Sequence, residues 1–262
     1  SAKYSSLTAC LRLFLFLPLL QMPNLYETDQ ALSEYLLMHY GTDAELMPWA
    51  FGPVDAIGFP SRTVAYFPEK KASRGLDIGC AVGRSTFELS KVCDEVIGID
   101  YSASFIEAAD EIRQQGSIDY PIKESGQVNS RATASIPEHS HPEGIQFLCA
   151  DAMNLPADLG QFDCVHAANL ICRLPDPAKL LKRLPDLVLP GGHLVLATPC
   201  TWLEQFTPPE NQPSQDTFQW LSDLLSPSFE LVKKADEPFL IRETGRKFQW
   251  TVSLVTQWKR RV

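Results

Sequence analysis

The sequence lacks the features that mark several large classes of protein. Its 262 residues carry a formal net charge of -9, so it has no excess of the basic residues that general nucleic-acid binders use. None of the seven cysteines belongs to a C-x-x-C pair, and the five histidines are dispersed along the chain. These absences argue against a zinc or redox motif. We therefore expect no metal site, no nucleic-acid partner, and reduced thiols in a cytoplasmic location.

Long hydrophobic runs are also absent. The apolar run at residues 11–20 is shorter than a membrane-spanning helix, which needs about 20 residues. It resembles the core of a signal peptide, but no convincing cleavage site of small residues follows it. We therefore interpret residues 1–21 as an N-terminal extension or an artefact. Residues 22–262 are expected to form a single domain that has no membrane partner.

The most informative feature that is present is a glycine loop between a predicted strand and a predicted helix. The strand ends at Asp77, and Gly79 and Gly83 let the backbone turn tightly and approach a ligand, because neither has a Cβ. A second predicted strand ends at Asp100. In nucleotide-binding α/β folds an acid at that point accepts hydrogen bonds from ribose hydroxyls.

The acid at the start of the loop separates it from loops that bind a pyrophosphate. Those loops read G-x-G-x-x-G and hold the phosphates at a helix N-terminus, whereas here Asp77 precedes Gly79 and Gly83. A carboxylate repels phosphate, but it suits a cofactor that carries a sulfonium, an ammonium and a ribose. The loop therefore resembles motif I of the class I methyltransferases, which bind S-adenosylmethionine. A Rossmann fold for another nucleotide and an accidental glycine turn are the alternatives.

Three further predicted strands end in polar residues, which fits a ligand bound beyond the carboxyl ends of a parallel sheet. Asp151 and Ala152 follow one strand, Asn169 follows the next, and Thr198 ends a strand that a Pro-Gly-Gly turn introduces. The resemblance assigns the methionine part of the cofactor to the glycine loop and the ribose to Asp100. It assigns the adenine to Tyr101, Asp151 and Ala152. The expected cofactor-binding residues are Asp77, Gly79, Cys80, Ala81, Gly83, Asp100, Tyr101, Asp151 and Ala152.

The expected fold is a class I (Rossmann-like) α/β fold with seven strands, helices on both faces and a C-terminal antiparallel hairpin. Strands are predicted near 74–78, 94–100, 145–150, 162–168, 192–198, 229–234, 239–244 and 248–258. Helices are predicted from Thr28 or Asp29 to Gly41 and near 83–92, 102–115, 177–189 and 214–225, and Pro185 is expected to kink or divide the fourth. Residues 42–73 are predicted to form a loop over the cofactor pocket, and residues 116–143 a polar, mostly flexible insertion.

Five segments together resemble one family, the methyltransferase domain at the C-terminal end of ovothiol synthase, which also occurs as a stand-alone enzyme. They are residues 35–41 (YLLMHYG), 76–85 (LDIGCAVGRS), 167–175 (AANLICRLP), 201–207 (TWLEQFT) and 238–250 (PFLIRETGRKFQW), within a match that covers about residues 24–260. The resemblance implies methylation of the imidazole Nπ of 5-thiohistidine, which gives ovothiol A. It also implies a separate iron-dependent sulfoxide synthase as the pathway neighbour that makes the substrate.

Methyl transfer from a sulfonium is an in-line displacement, so the protein must align the nucleophile with the methyl carbon. A neutral imidazole needs no strong base, but the thiolate of the substrate competes with Nπ, and we expect fixed donors to hold it away. For the amino-acid end, the carboxylate clamp is predicted to be Arg242 or Arg173, and the ammonium site Glu243 or Glu204.

The remaining candidates surround the acceptor ring. Tyr40 is predicted to donate its hydroxyl hydrogen to the substrate, and Asn169 to hydrogen-bond either the imidazole or the ammonium of the cofactor; these two are the expected catalytic residues. Further substrate contacts are expected from His39, Trp202 and Phe206. His166 is expected in the core. Three other functions compete with this interpretation: methylation of another small molecule, a cofactor-binding subunit without activity, and a nucleic-acid methyltransferase.

Overall fold

The computed structural model describes residues 26–262, so the predicted N-terminal extension, residues 1–21, lies outside the described residues. Strands and helices are numbered in chain order. The strands are β1 Ala72–Ile78, β2 Cys93–Asp100, β3 Ser117–Ser125, β4 Val128–Ser135, β5 Ile145–Cys149, β6 Phe162–Ala168, β7 Val188–Thr198, β8 Phe229–Thr244 and β9 Lys247–Arg260. The helices are α1 Asp29–Tyr40, α2 Asp43–Leu46, α3 Phe59–Val64, α4 Arg84–Ser90, α5 Ala103–Gln115, α6 Pro177–Leu187 and α7 Thr217–Leu225.

Seven strands form one sheet in the order β5-β2-β1-β6-β7-β9-β8. The first five are parallel, whereas β9 runs antiparallel to both β7 and β8. The predicted class I methyltransferase fold is therefore confirmed. The reversal of strand order beside β1 creates the opening at which ligands of such sheets bind.

The hydrophobic core lies on both faces of this sheet, because alternate strand residues point to opposite faces. Phe87 of α4 and Phe105 of α5 are buried on one face. Leu184 of α6, Leu221 of α7 and Trp258 of β9 are buried on the other. With both faces covered, the carboxyl ends of the parallel strands remain as the edge where a ligand can enter.

The helices begin where short polar side chains cap them. The Thr28 hydroxyl accepts a hydrogen bond from the backbone N–H of Ala31 in α1, and Asp176 caps α6 in the same way. Pro185 lies in the last turn of α6, which runs through it undivided to Leu187. None of the helices within residues 26–262 is long and apolar enough to cross a membrane.

Residues 42–73 contain more regular structure than predicted. Thr42 and Glu45 form a capping box that starts α2, and α3 and the 3-10 turn Val54–Ala56 follow. The expectation of an irregular loop was wrong, because two helices of four and six residues are too short to show a helical period. The predicted position of this segment over the pocket is confirmed, since Phe59 of α3 lines the cavity described below.

Residues 116–143 were predicted to be mostly flexible, and this was wrong. They contain the antiparallel hairpin of β3 and β4, which packs against α1 and α5. Tyr120 and Ile122 of β3 and Ala132 of β4 are buried on its inner face. Pro121 and the many polar residues around it obscure this alternation in the sequence.

The C-terminal hairpin is longer than predicted. The two strands expected at 229–234 and 239–244 are one strand, β8, which pairs with β9 along its whole length. Pro238 interrupts the hydrophobic pattern but not the strand. An edge strand tolerates proline, because one side of its backbone has no partner.

Candidate active site

A cavity of about 510 Å³ opens at the carboxyl ends of β1, β2, β5 and β6, where the sequence predicts the cofactor. Its volume is within the range of small-molecule sites, about 300–1,000 Å³. We call one wall the loop side, formed by Gly79, Ala81, Asp100, Tyr101 and Asp151 with their neighbours. A second part of the lining, which we call the hairpin side, contains His39, Asn169, Arg173, Phe206, and residues of β8 and β9.

The glycine loop has a backbone that only small residues allow. Gly79 and Gly83 have φ values of 76° and 86°, and Ala81 between them has a φ of 47°. A Cβ on Gly83 would lie 2.7 Å from the Phe147 ring, so a side chain there displaces a core residue. Gly79 and Ala81 line the cavity, as predicted for cofactor-binding residues.

The loop is fixed by bonds to the end of β2. The backbone N–H groups of Gly79 and Cys80 donate to the Ile99 carbonyl, and the N–H of Ala81 donates to Asp100 Oδ2 at 2.9 Å. The Cys80 side chain is fully buried and does not line the cavity, and neither does Gly83. These two residues therefore shape the loop from behind and make no direct contact with the cavity.

Asp77 also lies behind the loop, which corrects its predicted contact with the methionine part. Its carboxylate is 1% exposed and accepts hydrogen bonds from Ser85 Oγ at 2.6 Å and Thr86 Oγ1 at 2.8 Å. His166 Nδ1 lies 2.8 Å from its other oxygen, and His166 Nε2 lies 3.0 Å from Thr63 Oγ1. Burial alone would raise the pKa of Asp77, but the contact with His166 and these hydrogen bonds lower it.

His166 is buried in the core, as predicted, although the residue also lines part of the cavity. Both ring nitrogens are within hydrogen-bond distance of protein atoms, so the ring is held in place. The chain from Thr63 through His166 to Asp77 connects α3, β6 and β1 behind the cavity. Asp77 therefore acts as the anchor of the glycine loop.

Asp100 lies at the cavity surface and suits ribose hydroxyls. One oxygen accepts from the N–H of Ala81 and the other from the N–H of Ser102, and each keeps lone pairs for another donor. Burial raises the pKa of Asp100, and the negative charge of Asp77 adds to that effect. A ligand that donates hydrogen bonds to this carboxylate would offset the cost of burying its charge.

The other predicted adenine neighbours also line the loop side. Tyr101 exposes 68% of its surface, and Ala152 follows Asp151, whose carboxylate caps a 3-10 turn through the N–H of Met153. Positive φ values in the glycine loop, a carboxylate with free lone pairs and an exposed tyrosine ring together fit S-adenosylmethionine. The residues present therefore match the predicted cofactor.

On the hairpin side the structure brings together four of the predicted substrate residues. His39 comes from α1, Asn169 and Arg173 from the segment after β6, and Phe206 from the segment after β7, and all of them line the cavity. The Arg173 guanidinium lies 4.9 Å from the centre of the Phe206 ring and donates to the backbone carbonyls of neighbouring residues. Among residues 26–262, Arg173 is the one Arg or Lys that lines the cavity.

His39 presents a neutral imidazole. Burial, together with the positive charge of Arg84, lowers its pKa to about 3, although the negative charge of Asp77 acts in the opposite direction. Its Nδ1 atom is buried and has no hydrogen-bond partner within the described part of the chain. His39 is therefore a candidate hydrogen-bond partner for a substrate and a poor proton acceptor.

Two predicted residues of the first helix and the C-terminal hairpin face away from the cavity. Tyr40 donates its hydroxyl hydrogen to the Val82 carbonyl at 2.8 Å, so its predicted role as a donor to substrate was wrong. Arg242 is 4% exposed and pairs with Glu124 of the β3–β4 hairpin and with the Glu45 carbonyl, so its role as a clamp was also wrong. Both side chains hold elements together.

The other corrections concern three residues outside the cavity lining. Glu243 pairs with Lys247 and accepts a hydrogen bond from Gln249, and Glu204 is exposed to solvent. Trp202 donates from Nε1 to Thr217 and packs on Trp220 in the core. None of the three is positioned to contact a ligand in the cavity directly.

The prediction missed the strand residues that complete the hairpin side. Phe239 and Ile241 of β8 and Gln249 and Thr251 of β9 line the cavity. In each strand these are alternate residues, so they share one face, and Arg242 is on the other face. The alternation was present in the sequence, but choosing the correct face required the register of the two strands.

Comparisons with known proteins agree with this geometry. The profile of a family described as "Methyltransferase domain" matches residues 55–239. The chloroplastic tocopherol O-methyltransferase of Arabidopsis thaliana is 31% identical over 50% of this chain and 32% of that protein. The ubiquinone biosynthesis O-methyltransferase of Coxiella burnetii is 27% identical over 49% of this chain and 44% of that protein. The chain thus spans less than half the length of these curated relatives.

A solved structure shows the same fold. The N-methyltransferase NodS of Bradyrhizobium japonicum, in complex with S-adenosyl-L-homocysteine, aligns with a TM-score of 0.51 and 15% identity. The alignment covers 87% of this chain and 98% of that chain. At such low identity the likeness concerns the fold.

Proposed function

The chain belongs to the methyltransferase-domain family, and from this premise we propose that it methylates the imidazole Nπ of 5-thiohistidine to give ovothiol A. The cofactor is S-adenosylmethionine, as predicted. The observation that carries the proposal is the hairpin side of the cavity, where one guanidinium, one amide and one neutral imidazole line the same cavity as the glycine loop. These groups match the carboxylate, the sulfur and the ring of the substrate.

The loop side holds the cofactor in this proposal. The backbone of Gly79 and Ala81 approaches the methionine part, Asp100 accepts hydrogen bonds from the ribose, and Tyr101 and Asp151 flank the adenine. When bound, S-adenosylmethionine supplies an electrophilic methyl group on a positively charged sulfur. Apolar side chains, among them Phe59 of α3, line the cavity, and in the proposed complex they limit the access of water to the reacting atoms.

The hairpin side orients the acceptor. Arg173 binds the carboxylate of the amino acid, because its planar guanidinium matches a carboxylate and because its position is fixed by backbone carbonyls. Phe206 covers one face of that guanidinium, and His39 offers a neutral ring nitrogen to the acceptor. With the carboxylate end held, the imidazole can reach the methyl group in one orientation.

No carboxylate lines the hairpin side among the described residues, which favours a nitrogen nucleophile. A neutral imidazole attacks with a lone pair that it already has, whereas a phenol must lose a proton as it is methylated. The pKa of His39 is lowered to about 3, so this ring cannot accept that proton near neutral pH. The names of the curated relatives point to the second candidate, O-methylation of a phenolic small molecule.

A mass-spectrometric assay tests the proposal directly. The protein is incubated with S-adenosylmethionine and, in separate reactions, 5-thiohistidine, histidine, and a simple catechol, and the methyl position of any product is read by NMR. We expect one product, methylated at Nπ of 5-thiohistidine. Methylation of catechol alone would replace the proposal by O-methylation, and methylation of plain histidine would remove sulfur as a recognition element. The sulfoxide synthase neighbour and the cytoplasmic location stay predictions.

A further inference from the structure

Asn169 is held by a buried serine that no sequence motif indicates. Its side-chain oxygen lies 2.7 Å from the hydroxyl of Ser253, which is fully buried on β9. The backbone of Asn169 has a φ of 54°, and its N–H donates to the Ala197 carbonyl. Asparagine tolerates this left-handed conformation better than most residues, so backbone and side chain are both fixed at the end of β6.

The direction of this hydrogen bond follows from what each group can donate. The Ser253 hydroxyl has no other partner among residues 26–262, so its one hydrogen is satisfied only if it is donated to Asn169 Oδ1. In the reverse arrangement the amide would donate to the serine, and the hydroxyl hydrogen would be buried without an acceptor, which is unfavourable. The amide of Asn169 therefore has one orientation.

That orientation leaves the NH2 group of Asn169 for a ligand. Asn169 lines the cavity, and its Nδ2 atom has no hydrogen-bond partner in the described part of the chain. An amide whose oxygen already accepts a hydrogen bond is suited to donate to an anion and poorly suited to bind an ammonium. This favours the acceptor over the ammonium of the cofactor, which the sequence had left open.

We propose that Ser253 is a positioning residue that directs the amide hydrogens of Asn169 to an anionic group of the acceptor, so that Asn169 and Arg173 together form an anion subsite. The inference rests on the proposed methyl-transfer function, since it assumes that the acceptor occupies the hairpin side. Two groups of the proposed acceptor share the required chemistry, the thiolate and the carboxylate. A thiolate held there would be kept away from the methyl group while Nπ faces it.

NMR of the protein with bound S-adenosyl-L-homocysteine tests the subsite with two probes. Imidazole-4-thiol carries the sulfur alone, and imidazole-4-propionate carries the carboxylate alone. The side-chain amide signals of Asn169 are assigned by their loss in Asn169→Asp. We expect these signals to shift with at least one probe, and the probe that shifts them identifies the group that is bound. The subsite is refuted if neither probe shifts them.

Variants separate the role of Ser253 from general stability. We expect Ser253→Ala to weaken binding of the active probe by about fivefold to tenfold, the range of one neutral hydrogen bond, and Asn169→Asp to weaken it further by reversing the polarity. Thr256→Val is the matched control, because Thr256 is fully buried on the same strand and its hydroxyl has no partner among residues 26–262. Affinity for S-adenosyl-L-homocysteine should be unchanged in all three variants.

Two outcomes separate this inference from the proposed function. If Ser253→Ala binds the probe as tightly as the unaltered protein, Ser253 does not position Asn169 and the inference fails. If the probes bind as expected but 5-thiohistidine yields no methylated product, the proposed substrate fails and the anion subsite stands. The probe titration needs no turnover, so each result is read independently.

Discussion

The two walls of the cavity are built in different ways. On the loop side, backbone N–H groups of one short segment bind the end of the neighbouring strand, and Asp100 completes the arrangement. On the hairpin side, side chains arrive from α1, from the segment after β6, from the segment after β7 and from the C-terminal hairpin. The first wall is local in sequence, whereas the second exists only when distant elements have packed.

This difference determines how each wall should respond to mutation. A backbone-built wall depends on glycine conformation and on the groups behind it, so its sensitive residues include some that never touch the ligand. A wall built from side chains depends on individual groups, and each can be removed with little effect on the fold. Stability and affinity should therefore be coupled on the loop side and separable on the hairpin side.

The largest expected effect is that of Asp77→Ala. This change leaves His166, Ser85 and Thr86 without their buried acceptor, and each buried donor left unsatisfied costs about 1–3 kcal/mol. We expect the free energy of unfolding in urea to fall by about 3 kcal/mol or more, with Asp110→Ala at a partly exposed ion pair as the control. Normal stability with lost cofactor affinity would show instead that Asp77 contacts the cofactor directly.

Asp100→Ala should be the next largest, and it should lower cofactor affinity and stability together without unfolding the protein. It removes the carboxylate that accepts from Ala81 and Ser102 and, in the proposed complex, from the ribose. Charged hydrogen bonds contribute about 1.5–3 kcal/mol, so affinity for S-adenosyl-L-homocysteine should fall by about 10–100-fold in calorimetry. Asp119→Ala on the exposed face of the β3–β4 hairpin is the control, and equal affinities in the two variants would refute the ribose assignment.

On the hairpin side, Arg173→Ala and Arg242→Ala form a matched pair. Arg173 lines the cavity, so its loss should raise the KM for the acceptor by about tenfold or more while the melting temperature changes little. Arg242 is buried and paired with Glu124, so its loss should lower the melting temperature and leave the KM of the folded fraction unchanged. The opposite pattern would restore Arg242 as the clamp.

The same contrast explains which parts of the molecule could be predicted from the sequence. The strand β1, the glycine loop and the strand β2 lie within one short segment, where the spacing in sequence determines which residues are close in space. The parallel strands and Asp100 were therefore located correctly. Asp77 was given a direct contact because spacing cannot show that Ser85, Thr86 and His166 would occupy its carboxylate.

The hairpin side was predicted less well, because it depends on register and on insertions. Ile241 and Arg242 are neighbours in sequence, but one faces the cavity and the other faces Glu124. A shift of one residue exchanges the two faces of a strand, and the sequence alone did not fix it. Ser253 carries no chemical signature at all, and it gained a candidate role only through its contact with Asn169.

A pH titration probes the anchor behind the loop side. The pKa of Asp77 is lowered from its ordinary value of 3.8, so its ionised form stabilises the fold above that pH. As the pH falls below 3.8 through the lowered value, the carboxylate takes up a proton and that stability is lost. In Asp77→Asn we therefore expect the free energy of unfolding to depend less steeply on pH in this range, as measured by circular dichroism during acid unfolding. An unchanged slope would mean that other carboxylates dominate acid unfolding.

The smallest effect should come from Tyr40→Phe, and it decides whether this tyrosine acts on the substrate. The change removes one hydrogen bond to the Val82 carbonyl, which contributes about 0.5–1.5 kcal/mol to stability. Because the hydroxyl is directed to the loop backbone and the ring does not line the cavity, kcat and the acceptor KM should remain within about twofold. His39→Gln is the informative comparison. His39 precedes Tyr40 on α1 and lines the cavity, so its replacement should raise the KM for the acceptor. A large loss of kcat in Tyr40→Phe at normal stability would mean that the hydroxyl leaves Val82 and turns to the acceptor during the reaction.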